Sequence, residues 1–360
     1  MPKLIHPVTI TLMVVIIIFS LPSLLPKKSL EKLSDQALRE RALSGNMLPT
    51  PITYQSLLTL QNSKEHPLSR DKIALGKKLF FEKELSQDRT MNCASCHKLH
   101  EGGDDNVPTA IGYHGRVNPF HLNTPTVLNA SLAKAQFWDA RAKDVEAQAG
   151  GPIQVPFEMN MRPDEVEQRL NSSEAYRVLF EKVFHQDKIT FKLVREAIGA
   201  YERTLLTYGD YDRFLNGDNN ALSIQAKRGM TIFLTKGCKG CHTGMSVGGQ
   251  SIQQFPLRHY FWDYLGAIFE PNLKIKDSPF PFENRGGFLG KENRLKFRVP
   301  ILRNITKTAP YFHNGSIKSL EEAVRIMSKY QLGNEFSKAE INDVVAFLKS
   351  LEGEIIDYSK

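Results

Sequence analysis

All four cysteines of this 360-residue chain fall into two copies of one pattern, Cys93-Ala-Ser-Cys96-His97 and Cys238-Lys-Gly-Cys241-His242. Two thiols three positions apart can reach the two vinyl groups on one edge of a porphyrin. The adjacent histidine can then swing beneath the plane and ligate iron from the proximal side. A zinc site built from two cysteines and two histidines would carry its histidines as a separate spaced pair. A thioredoxin-like pair would need one copy within a βαβ pattern, which the sequence lacks. A chain of this size does not need disulfide staples. The reading is two covalent haem c groups, with His97 and His242 as proximal ligands.

The opposite face of each iron decides between electron transfer and chemistry, because an open or openable position can bind and split peroxide. His100, His114 and His121 are the candidates at the first haem. His100 lies only three residues past the proximal ligand, which favours the proximal side. His114 and His121 follow a Gly-rich, acidic loop long enough to wrap round the haem edge, and the segment from Gly102 to Gly115 is expected to be mobile. At the second haem Met245 has the same short separation, whereas Met327 lies far downstream in a helical stretch. A methionine ligand raises the haem potential relative to histidine.

The elements that must hold these residues read as helices. Val194, Ala197, Ile198, Tyr201 and Leu205 recur at helical spacing, as do Ile341, Val344, Val345, Leu348 and Leu351 behind the N-cap candidate Ser337. A weak repeat relates the two motifs. Gly76, Leu79 and Phe80 precede the first, and Gly229, Ile232 and Phe233 the second, while Gly102-Gly103 and Gly248-Gly249 follow them. Sustained period-two strands are missing, so the expected fold is all-α, with two c-type cytochrome domains each built around one covalent haem. A linker is expected around Asn216, Gly217 and Asp218, ending at the N-cap candidate Ser223.

The N-terminus has Lys3 before an apolar stretch from Val8 to Leu25, the pattern of an export signal. It lacks an Ala-x-Ala cleavage pattern, and Pro22 interrupts it, so signal peptide and membrane anchor both stand. The chain carries 47 Lys and Arg against 39 Asp and Glu, a net charge of +8, in interleaved pairs rather than runs. That patterning argues against a nucleic-acid partner.

The segments "LGKKLFFEKELSQDRTMNCASCH", "NTPTVLNASLAKAQFWDARA", "AQAGGPIQVPFEM", "GCKGCHTG" and "FRVPILRNITKTAPYFHNGSIKSLEEAVRIM" resemble, in order, the bacterial di-haem cytochrome c peroxidases. The likeness runs from about residue 67 to 352. It implies reduction of hydrogen peroxide at an N-terminal, low-potential haem, fed by a C-terminal, high-potential one. By position, His114 resembles the removable distal ligand, Glu158 the acid-base glutamate and Gln148 the distal glutamine. Trp138 resembles the tryptophan between the haems and Met327 the axial methionine. Asn123, Thr308 and Pro310 match an inter-haem calcium site. The loop from His114 to Asn123 is slightly longer than the family pattern, which keeps His121 as the alternative ligand.

The chemistry suits these types: splitting peroxide unevenly moves a proton from one oxygen to the other, which a nearby carboxylate can relay. The implied organisation is a signal or anchor over 1–26 and a helical extension over 27–66. A peroxidatic domain over 67–217 and an electron-receiving domain over 218–335 follow. A C-terminal helix over 336–360 has the first domain as a candidate partner. The implied setting is the periplasm, with a small cytochrome c or cupredoxin as donor and a homodimer as the assembly. Two rivals remain open. One is a relative of the enzyme that matures methylamine dehydrogenase, where a tyrosine replaces the methionine; Tyr330 is the residue to check. The other is a pure electron carrier.

Overall fold

The computed structural model describes residues 33–255, 257 and 296–358. The apolar N-terminal stretch and its expected export role lie outside the described residues. Helices α1 (Asp35–Leu43) and α2 (Tyr54–Gln61) open the described chain, followed by α3 (Arg70–Phe80) and the first haem motif. Helices α4 (Val145–Gln154), α5 (Pro163–Asn171), α6 (Glu174–Phe184) and α7 (Phe191–Glu202) complete the first half. After the short α8 (Asp210–Leu215) come α9 (Ile224–Thr235), the second motif, α10 (Leu320–Ile326) and α11 (Lys338–Ser350).

The repeat in the sequence corresponds to one packing unit used twice. In the first half α3 crosses α7, and in the second α9 crosses α11. A Cβ added at Gly76 would stand 1.8 Å from the Ala197 carbonyl oxygen, and one added at Gly229 would stand 1.8 Å from that of Asp343. Glycine is required at both because the partner backbone occupies the space of a side chain. The stripes expected to be apolar are the buried faces: Val194 and Ile198 with Leu79 and Phe80 in one core, Val344 and Leu348 with Ile232 and Phe233 in the other. Each such side chain contributes about 1.5–3 kcal/mol by leaving water. Ser337 caps α11 in a capping box with Glu340, and the Ser223 hydroxyl accepts from the Ala226 N–H at 3.0 Å.

The all-α expectation holds, with two short antiparallel ribbons added. β1 (Thr207–Gly209) pairs with β4 (Gly353–Ile355), Thr207 opposite Ile355; β2 (Ile252–Gln254) pairs with β3 (Lys296–Arg298). The first ribbon bears on the C-terminal expectation. Helix α11 packs in the second half, and β4 with the tail behind it returns to the first, where Tyr358 packs against Leu57 and Leu206.

The N-terminal extension straddles both halves. Lys227 in α9 pairs with Asp35 in α1 at 2.8 Å, and Arg203 at the end of α7 donates to Gln61 in α2 at 3.0 Å. His66 reaches Asp144 and Glu196 at 3.2 Å each. At the centre, Arg303 grips Asp212 through two 2.8 Å bonds, with the two side chains 1% and 0% exposed. The same carboxylate accepts from the Thr50 and Gly209 N–H groups, and Arg303 Nε donates to the Met245 carbonyl. Among the described residues no helix is long and apolar enough to cross a membrane.

Candidate haem sites and active site

Each haem motif forms a single 3₁₀ turn, Cys93–Ser95 in the first and Cys238–Gly240 in the second. In both, the N–H groups of the second cysteine and of the histidine return to the first cysteine's carbonyl. This turn carries Cys93, Cys96 and His97 to the wall of one cavity, and Cys238, Cys241 and His242 to the wall of another. His97 Nδ1 donates to the Gly103 carbonyl at 3.0 Å, leaving Nε2 as the nitrogen able to bind metal. His242 is 7% exposed, and burial lowers its pKa to about 4, against the opposing pull of the Val247 and Pro300 backbone. A ring held neutral is a ligand, not a charge. Burial also pushes the Cys96 and Cys238 thiols up to about 12 each, which suits thioether attachment better than free thiolates. Both cavities therefore fit a covalent haem.

The first cavity gathers most of the residues expected to do chemistry. Asp144 caps α4 by accepting from the Ala147 N–H at 2.7 Å, and α4 then presents Gln148 to the cavity. The turn after α4, closed by the Glu158 N–H on the Val155 carbonyl at 2.9 Å, presents Glu158. Burial raises the Glu158 carboxyl to about 7, and the nearby Arg141 guanidinium opposes that rise. Arg141 and Glu202 share the cavity wall. Glu202 is 5% exposed and raised to about 8 by burial and then by Glu146.

Trp138 lines both cavities, as do Asn123, Thr124 and Pro125. The indole edge meets His313 at 6.3 Å and Phe297 at 6.4 Å between ring centroids. In the second cavity Met327 opens a π-helical turn, Met327–Gln331, straight after α10, and shares the wall with His242. Neither Met245 nor Tyr330 lines it.

His114 stands elsewhere. It lines neither cavity, its side chain is 63% exposed, and Nε2 lies 3.4 Å from Asp88 Oδ2. Its backbone is left-handed, with φ 53°, and its ring stacks on Tyr113 at 4.1 Å. His121 and His100 line neither cavity, although Phe120 and Leu122 on either side of His121 line the first. Of the segment expected to be mobile, Gly102 to Asp105 is buried, whereas Pro108, Ile111 and the run from His114 to Val117 are exposed. The buried part is held because its carbonyls serve His97 and Thr126.

Between the cavities, Asn123 donates Nδ2 to the Pro310 carbonyl at 2.6 Å and to that of Phe312 at 3.2 Å. Its Oδ1 is buried without a partner, as are both oxygens of Asp104. Thr308 and Pro310 line the same cavity as these two. An oxygen-rich, partly orphaned donor set suits a hard cation such as calcium. Asp104, Glu202 and Arg298 escaped sequence reasoning because their only signal is burial of a charge, which the chain order does not display.

Fold and site define a class: a helical protein with two c-type haem domains. The comparisons agree. The family model "Di-haem cytochrome c peroxidase" matches residues 70–220, and the cytochrome c model matches 226–352. The chain is 42% identical over 294 residues to the cytochrome c551 peroxidase of Nitrosomonas europaea, covering 81% of this chain and 83% of that one. It is 40% identical over 293 residues to the cytochrome c551 peroxidase of Pseudomonas aeruginosa, covering 80% of each. A crystal structure of a MauG-like protein associated with microbial copper homeostasis superposes with TM-score 0.68 at 26% identity, covering 83% of this chain and 94% of that one. The chain belongs to the di-haem cytochrome c peroxidase family, a family of oxidoreductases with two haem c groups.

Proposed function

We propose that this chain reduces hydrogen peroxide to water in the cavity of His97, with electrons received at the cavity of His242 from a small reduced redox protein, a cytochrome c or cupredoxin. The observation that carries the reading is a carboxyl poised near neutral pH, Glu158, in the same cavity as His97 and Gln148. A pure carrier needs no acid-base group beside its haem.

Bound haem would supply the redox step, in which two electrons and two protons turn peroxide into two waters. The Glu158 carboxylate oxygen takes the proton from one peroxide oxygen and returns it to the other, so that water can leave. The Gln148 amide holds the substrate or its water in register. Trp138 stands between the two cavities and shortens the electron path. His97 would hold the iron of the peroxidatic haem, and His242 and Met327 that of the electron-receiving haem. His114 is assigned as the removable ligand of the peroxidatic haem, with His121 as the alternative. With its ring beside Asp88 and off the wall of the His97 cavity, it would leave that cavity open to peroxide.

Asn123, Thr308 and Pro310 would hold a calcium ion between the domains, with carbonyl oxygens from the last two. The protein is placed in the periplasm, exported by its N-terminal segment and either soluble or anchored by residues 8–25, and works as a homodimer. The protein-oxidising branch is disfavoured because Tyr330 stays off the wall that Met327 occupies. The test is turnover with peroxide and a reduced small cytochrome, before and after one-electron reduction. Absence of peroxide-dependent oxidation in both states would refute the reading.

A further inference from the structure

The loop after the first haem motif is pressed against the segment that follows α9 and its motif in the second half. A Cβ on Gly102 would meet the Lys307 carbonyl oxygen at 2.8 Å and Thr308 Cγ2 at 3.0 Å. Asn106 donates Nδ2 to that same Lys307 carbonyl at 2.7 Å. Asp104 lies between these two anchor points and is 0% exposed.

Two adjacent buried aspartates are treated differently here. Asp105 accepts from Thr124 Oγ1 at 2.7 Å and from the Val107 N–H at 3.2 Å. Among the described residues neither oxygen of Asp104 has a hydrogen-bond partner. It faces the cavity wall that also holds Asn123, Thr308 and Pro310, where Asn123 Oδ1 is a further orphan, on a residue 5% exposed. An uncompensated carboxylate in a buried setting is costly and needs a cation. Among the described residues no cation is hydrogen-bonded to Asp104. Lys98 extends to Glu101 at the surface, and Arg298, the buried cation on this wall, keeps Nη1 without a partner.

We propose that Asp104 is a charged ligand of the inter-haem divalent-cation site, adding a carboxylate oxygen to the Asn123 amide oxygen and the neutral oxygens of Thr308 and Pro310. The inference rests on the calcium reading above, which contains neutral donors only. Calcium accepts six to eight oxygens in flexible geometry, and its affinity rises with the number of charged ligands. Asp104 would thus turn a loosely held ion into one retained through purification. It would also tie the loop carrying the His97 partner Gly103 to the second half of the molecule.

The test uses the full chain with both haems attached, stripped with a calcium chelator and titrated with calcium by calorimetry, with metal content per haem measured alongside. The wild type is expected to bind one calcium ion, and Asp104→Asn to bind it about 10-fold or more weakly, as expected for loss of a charged ligand. Calcium binding by the wild type with unchanged affinity in Asp104→Asn overturns the role of Asp104 and leaves the calcium site standing. No calcium binding by the wild type overturns both. Should Asp104→Asn fail to assemble, infrared difference spectra of the wild type with and without calcium decide. Shifted carboxylate stretching bands support the inference, and their absence overturns it.

Discussion

Trp138 donates its indole Nε1–H to the Asn123 carbonyl at 2.9 Å, and both residues stand on the walls of both haem cavities. The side chain proposed for the electron path therefore also fixes the residue proposed to hold the inter-haem cation. Asn123 in turn donates to Pro310 and Phe312 of the second half, so this one contact links site geometry to domain geometry.

Trp138→Phe keeps an aromatic ring but removes that donor. The variant should lose about 1 kcal/mol of stability, the net value of one hydrogen bond. It should also re-oxidise the second haem more slowly after mixing with peroxide. Stopped-flow traces at the second haem check this; unchanged traces would take Trp138 off the electron path.

Glu158→Gln should lower turnover about 10²- to 10⁴-fold, the usual contribution of general acid-base catalysis, with both haem spectra preserved. The sign of the pH effect follows from its role. Its carboxyl is raised to about 7 by burial, and it must be ionised to take the first proton. Wild-type turnover should therefore fall as pH drops through about 7, and the variant should lack that limb.

His114 sits beside Asp88, whose carboxyl is held below its usual value by the Thr90 hydroxyl, with the His114 charge as a smaller cause. Asp88 is thus an anion beside which the His114 ring rests, off the wall of the His97 cavity. Asp88→Asn should shift the half-reduced protein towards a six-coordinate, low-spin first haem, read by absorption or electron paramagnetic resonance. His114→Ala should be active without prior reduction. A low-spin first haem that persists in His114→Ala would move the role to His121.

Met327→His should lower the potential of the second haem, since histidine replaces a ligand that raises it. A redox titration showing no shift would remove Met327 from the iron.

Arg303→Met leaves the Asp212 carboxylate buried with only its backbone donors. Breaking such a pair from one side costs about 3–5 kcal/mol, and the loss should appear in denaturant unfolding of the haem-loaded protein. Because Asp212 and Arg303 also hold Thr50 and Met245, the N-terminal extension should become protease-sensitive first.

The sequence alone determined the parts governed by local rules. Two C-x-x-C-H motifs specify attachment because thiol spacing matches one edge of a porphyrin. The stripes on α7 and α11 specify buried faces because helical period is local. The paired Gly76 and Gly229 were visible as a repeat. Only tertiary structure revealed what that repeat is for, a backbone pressed against a crossing helix at 1.8 Å from where a Cβ would lie. The same limit applied at the site. Glu158 and Gln148 were named by resemblance, but Glu158's near-neutral carboxyl depends on burial that no window of sequence records. Asp104 and Asp105 are neighbours of identical type, and only the fold decided that Thr124 satisfies one and leaves the other on the wall of the His242 cavity. His114, with His121 as the alternative, was named by resemblance; in the fold Gly112 packs against Phe157 and Glu158, and His114 lies beside Asp88. Spacing along the chain selects ligands for a cofactor, whereas burial, charge and exclusion of neighbours are set by segments far apart in sequence.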